Sequence, residues 1–200
     1  AAIELCHAGQ NVNPQLMPDF KGFVYGPSDG MRPDGVEIRA MNDEQIEQLI
    51  MLYAQAAAFA RQCGFSMITL HGGHGWQIAQ FISPRDNKRK DRWGGSLENR
   101  MRFPLAVIEA IRKKIGYAMP IDFRLSGTEY LPDGYDIDEG IRIAKVLDGK
   151  VDIIHVSVGH HENDSASMRT HPTMFLEDGC NVKYAAEIKK YVETTVSTVG

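Results

Sequence analysis

Phe65-Ser66-Met67-Ile68-Thr69-Leu70 runs directly into His71-Gly72-Gly73-His74-Gly75-Trp76, and the reading of this passage decides the fold. The apolar run predicts a strand over 65–70, and the glycines after it mark a tight, open loop. A glycine-rich, positively charged stretch follows, through Phe81-Ile82-Ser83-Pro84 to Trp93-Gly94-Gly95-Ser96. Ser96 then caps a long amphipathic helix with Met101, Leu105, Ile108, Ile111 and Ile115 on its inner face. In α/β proteins ligands sit beyond the carboxyl ends of strands. Two histidines at that point therefore suggest chemistry.

Working outward, the same strand-then-helix unit recurs. Ala2-Ile3-Glu4-Leu5-Cys6 reads as a strand, with a long Gly/Pro/Asp-rich loop over 7–41. Asn42 with Gln45 three residues on spells a capping box for a helix that buries Ile46, Leu49, Ile50, Tyr53, Ala57 and Ala60. Further strands are predicted over 120–125, 151–156 and 195–199. Helices are predicted to start at Asp136 or Asp138 and to run over 182–191. Alternation of this kind means a parallel sheet covered by helices. Loops leaving strand C-termini (7–41, 71–95, 126–136, 157–180) are long and the returns short, which favours a TIM (β/α)8 barrel over an open sheet. Five strands are fewer than the eight that close a barrel in roughly 250 residues, so the expectation is one partial barrel domain over 1–200.

Composition narrows the classes. A chain of 200 residues with 43% apolar and 24% charged residues can bury a core. A net charge of −4 argues against nucleic acid as partner. No apolar run approaches the roughly 20 residues of a membrane span. Cys6, Cys63 and Cys180 are odd in number and widely spaced, fitting neither a disulfide framework nor a zinc site. Each is expected as a small buried hydrophobe in a cytoplasmic, reducing setting.

From spacing alone His71 and His74 admit three readings. Two fixed N–H donors converging on one oxygen would stabilise charge developing on a carbonyl. HxxH could begin a metal site, although further ligands would be needed. The plain alternative is a loop whose histidines bond to backbone.

The resemblance narrows these readings. Ile3-Glu4-Leu5-Cys6-His7-Ala8-Gly9-Gln10, the long segment from His71 to Arg100, Phe123-Arg124-Leu125-Ser126 and Val196-Ser197-Thr198-Val199-Gly200 resemble strands three, four, five and seven of the old yellow enzyme family of NADH:flavin oxidoreductases. That likeness implies an FMN-dependent barrel enzyme. NADH or NADPH reduces the flavin, and hydride passes to the C=C bond of an α,β-unsaturated carbonyl compound. It implies that His71 and His74 bond the substrate carbonyl, that Arg124 lies against the flavin, and that Gly200 begins the phosphate-binding turn. Glu4 stands where a flavin-contacting glutamine is usual, and Trp76 where the family has its tyrosine proton donor. Indole cannot usefully give up a proton, so Trp76 and Tyr130 are expected to line the substrate pocket, with Tyr130 or Tyr25 as candidate donors.

The remaining clusters are open. Arg85, Lys88, Arg89, Lys90, Arg92, Arg100 and Arg102 could attract a phosphate or be a loop tied to Asp86, Asp91 and Glu98. His160, His161 and His171 could border the pocket. The partner implied is an enone or enoyl ester, no membrane or nucleic acid, in a possible homo-oligomer. An iron–sulfur cluster belongs only to regions outside these residues. Two rival classes are a metal-dependent barrel hydrolase using His71 and His74, and a truncated α/β domain without catalysis.

Overall fold

The computed structural model describes residues 1–17 and 19–199. Its main sheet holds five parallel strands: β1 (Ala2–Leu5), β5 (Met67–Gly72), β6 (Ile121–Ser126), β7 (Ile153–Ser157) and β8 (Thr195–Thr198), in that order. Between β1 and β5 lie a small three-stranded sheet, formed by β2 (Phe23–Gly26), β3 (Gly30–Met31) and β4 (Glu37–Ala40), and helix α1 (Asp43–Gln62). The short α2 (Gln77–Ile82) and the long α3 (Leu97–Ile115) link β5 to β6. Helix α4 (Ile137–Leu147) links β6 to β7. Helices α5 (Asp164–Thr170) and α6 (Val182–Lys189) precede β8.

Alternation along each strand divides the sheet into two unlike faces. Ile68 and Leu70, then Ile121, Phe123 and Leu125, then Ile154 and Val156 are all fully buried, and they pack under the helices. Each such side chain contributes about 1.5–3 kcal/mol by leaving water. The other face is polar: Glu4, Thr69, His71, Asp122, Arg124, Ser126, His155 and Ser157. Thr69 donates to Asp122 at 3.0 Å, and His155 Nδ1 lies 3.4 Å from the same carboxylate. Apolar cohesion sits behind the sheet and the polar side chains in front.

The helix starts follow local sequence. Asn42 and Gln45 form the reciprocal capping box at 2.8 and 2.9 Å. Ser96 caps α3 through Asn99 N–H, and Asp136 caps α4 through Glu139 N–H. One close approach fixes the α4 entry: a Cβ on Gly140 would stand 2.1 Å from the Gly127 carbonyl oxygen. Only glycine lets helix and loop touch there.

Several expectations need correction. The stretch 7–41 is not simply a loop, since it carries β2, β3 and β4. Strand β5 begins and ends later than predicted, because it pairs with β6 as far as His71 with Arg124 and Gly72 with Leu125. His71 is thus a strand residue and only His74 lies in the loop. Helices α2 and α5 lie within stretches expected to be loops. Cys6 and Cys63 are exposed and Cys180 is half-buried, so none is a fully buried hydrophobe. Among the described residues no helix is long and apolar enough to cross a membrane.

Candidate active site

Strand register brings three of the sequence-selected residues together on the polar face. Glu4 comes from β1, His71 from β5 and Arg124 from β6, directly across from His71. His74 joins them from the loop, where its backbone takes a left-handed φ of 59°. That conformation is costly for a residue with a Cβ. It is held by the His74 N–H bond to Ser126 Oγ at 3.0 Å, and Ser126 in turn donates to the Gly159 carbonyl.

The side chains form an unbroken row. Glu4 Oε1 lies 2.5 Å from His71 Nδ1, His71 Nε2 lies 2.9 Å from His74 Nδ1, and His74 Nε2 lies 2.9 Å from Ser157 Oγ. The two rings are therefore bonded to each other, with both outer nitrogens engaged by Glu4 and Ser157. Presenting N–H groups to a ligand requires the ligand to replace one of these partners. Ser157 was not singled out in the sequence, and a lone serine 83 residues from its partner carries no local signal.

Electrostatics differ along the row. The hydrogen bond from His71 holds the Glu4 carboxyl below its usual range against partial burial, with help from the charges of His71 and Arg124. Burial drives His74 far below the ordinary histidine value, and the neighbouring His71, Arg124, His161 and His171 add to the effect. Both effects favour the neutral imidazole at His74.

Arg124 is short of partners. Its side chain is only 13% exposed, its ion-pair contact with Glu4 is 3.5 Å long, and its Nε is buried with no partner among the described residues. A buried guanidinium with an idle donor fits an electron-rich ligand placed against the polar face. The residues present therefore fit an anionic or carbonyl-rich ring such as a flavin's.

Around this row stands an aromatic rim. Trp76 lies 6.3 Å from the His71 ring and 5.2 Å from His161, while His161 stacks on His171 at 6.0 Å. The His161 N–H reaches the His74 carbonyl, and a backbone bridge joins His74 to His160. His161 and His171 thus border the site. Burial, then the charge of His171, lowers His161. Tyr130 is placed differently: its hydroxyl bonds that of Tyr184, and Arg169 lies 4.2 Å over its ring. Tyr25 is on β2 in the small sheet. Gly200 lies outside the described residues.

The arginines of the basic loop are paired with carboxylates. Arg85 pairs with Asp86, Asp133 and Glu162, Arg89 with Asp91, Arg92 with Asp43 and Glu47, Arg100 with Glu139, and Arg102 with Glu98. Lys88 donates to the Pro84 carbonyl. Its arginines serve as struts.

The sequence pattern of the NADH:flavin oxidoreductase / NADH oxidase family matches residues 1–200. An NADH oxidase of Thermoanaerobacter brockii is 38% identical over 199 residues, which make up 99% of this chain and 30% of that protein. An NADPH dehydrogenase of Bacillus cytotoxicus is 34% identical over 202 aligned positions, covering 100% of this chain and 54% of that one. Histamine dehydrogenase from Rhizobium sp. 4-9 superposes with a TM-score of 0.85 at 29% identity, over 100% of this chain and 29% of its own. The chain spans 30% and 54% of the length of the two curated relatives. Its fold is part of the TIM-type barrel of its structural neighbours.

Proposed function

This chain belongs to the NADH:flavin oxidoreductase / NADH oxidase family, the old yellow enzyme group, and from that premise we propose that it is the strand-three to strand-seven part of an FMN-binding barrel that reduces α,β-unsaturated carbonyl compounds at the expense of NADH or NADPH. The row from Glu4 to Ser157, with under-partnered Arg124 beside it, is the observation that carries this reading.

When bound, FMN supplies a hydride donor that NADH or NADPH replenishes. Arg124 would hold it, offering a fixed positive charge and an Nε–H without a partner among the described residues. His74, with His71 bonded behind it, binds the carbonyl oxygen of an enone or enoyl ester, and the histidine pair stabilises negative charge as it develops there. Glu4 fixes the orientation of the His71 ring. Trp76 gives the pocket an apolar wall that excludes water and, as an indole, holds no transferable proton. The isolated 200 residues are inactive alone in this reading, and the cytoplasm is its setting. The hydrolase alternative gains nothing: among the described residues no three His, Cys, Asp or Glu side chains are arranged to hold a metal ion.

The test is an FMN titration of the apo form of the whole flavoprotein, followed by quenching of flavin fluorescence. Arg124→Ala should weaken binding about 10- to 100-fold, the loss of one charge-assisted contact. An unchanged Kd removes Arg124 from the flavin site. Absence of binding by the unmodified protein overturns the flavin reading.

A further inference from the structure

The three hydrogen bonds joining Glu4, His71, His74 and Ser157 constrain one another, because each group has a fixed donor and acceptor capacity. An ionised carboxylate only accepts, so His71 Nδ1 must carry a proton and donate to Glu4. If His71 is neutral, its Nε2 is then a lone pair, and His74 must donate from Nδ1. His74 Nε2 becomes a lone pair in turn, and the Ser157 hydroxyl donates to it. In this arrangement every donor points toward Glu4. An oxygen arriving in the place of Ser157 would face a lone pair, with which it cannot bond.

Adding one proton reverses the outer two bonds. His71 becomes an imidazolium that donates from both nitrogens, to Glu4 and to His74 Nδ1. His74 stays neutral but switches tautomer, so its Nε2 now carries the proton and donates outward. One other placement of the added proton, on His74 Nε2 with His71 left neutral, would also satisfy all three contacts with Glu4 ionised, but without a tautomer switch. The added charge belongs on His71, whose Nδ1 lies 2.5 Å from the Glu4 carboxylate, while burial disfavours a charged His74.

The groups facing the row agree with this assignment. From β1 comes the Glu4 carboxylate, from β6 the Arg124 guanidinium in contact with Glu4, and from β7 the Ser157 hydroxyl. The His161 and His171 rings face His74 at 5.7 and 6.3 Å, and Trp76 faces His71. Among the described residues, Glu4 is the only acidic group in contact with the row.

We propose that Glu4 is a positioning residue that lets the histidine pair hold one extra proton on His71, and that this single proton converts the site from a hydrogen-bond acceptor into a donor for a carbonyl oxygen. The inference rests on the enone-reductase reading for its consequence: only the proton-loaded row binds and polarises a substrate carbonyl.

The experiment is imidazole nitrogen NMR of the apo protein labelled with 15N-histidine, from about pH 5 to about pH 9, the range in which histidine titrates. It needs neither flavin nor substrate. The expected result is that His71 Nδ1 keeps its proton throughout. His71 Nε2 gains its proton, and His74 switches from Nδ1–H to Nε2–H, at one common midpoint. Glu4→Gln should move that midpoint at least about one pH unit toward acid, a tenfold loss of proton affinity, or break the coupling. The resonances of His7 and His155, away from the row, report whether the variant is folded. Independent titration of the two rings in the unmodified protein overturns the proposal, as does an unchanged midpoint in folded Glu4→Gln. A coupled switch in a protein that reduces no enone would instead overturn the functional reading and leave the proton assignment standing.

Discussion

Glu129, just beyond β6, should make this protein less stable as pH rises. It is 1% exposed, accepts from Ser83 Oγ at 2.9 Å and from Tyr135 N–H at 3.0 Å, and leaves Oε1 with no partner among the described residues. Burial pushes its carboxyl from 4.5 up to about 7, and nearby Asp86 adds to this. The charge of His160 and the two hydrogen bonds oppose it. Between these values the unfolded chain is ionised while the folded one still holds its proton. The folded state thus binds more protons, and stability falls as pH rises through that window. At about 1.4 kcal/mol per pH unit, the whole interval costs about 3 kcal/mol by pH 8. Glu129→Gln keeps the shape and removes the titration. Equilibrium urea denaturation of both proteins at pH 5 and pH 8 should show the variant sparing about 2.5 kcal/mol of the decline, the rest having been lost already by pH 5. Parallel pH dependence in the two proteins would refute the argument, because it would mean that Glu129 ionises as readily folded as unfolded.

Two further outcomes follow from packing, and both can be read by denaturation. Gly140→Ala puts a methyl 2.1 Å from the Gly127 carbonyl oxygen, so α4 must shift, at a cost of about 1–3 kcal/mol. Stability within 0.5 kcal/mol of the parent would contradict that contact. Arg100→Met removes the guanidinium that joins Glu139 to the Ile82 and Gly95 carbonyls inside the protein. It should cost about 3–5 kcal/mol, with part regained when Glu139→Gln is added. Strictly additive losses would contradict a coupled pair.

The barrel-type architecture was legible because its signals are local. Apolar strands, the Asn42–Gln45 box and the Ser96 and Asp136 caps lie within single stretches of sequence. His71 and His74 stood out from their place after an apolar strand, Glu4 and Arg124 from the resemblance, and parallel register brings Glu4, His71 and Arg124 together. What escaped depends on tertiary context. Strands β2, β3 and β4 are only two to four residues long and pair across intervening loops. All six residues of α2 are buried and its N-cap makes no side-chain bond, so it shows neither amphipathic period nor capping signal. The run Phe23-Val24-Tyr25 was a strand signal available to be read. Cys6 and Cys63 defied their expected burial because one follows the edge strand and the other ends α1. Tyr130 turned to Tyr184 and Arg169 for reasons no spacing encodes.

The division of the sheet into two faces bears on how such a protein changes over generations. Four strands each deliver a reactive side chain to the front: Glu4, His71, Arg124 and Ser157. Their alternating neighbours at the rear carry the thermodynamic weight. A codon change on the front can redirect reactivity while the rear keeps the chain folded, so catalytic novelty and foldability are inherited on separate registers.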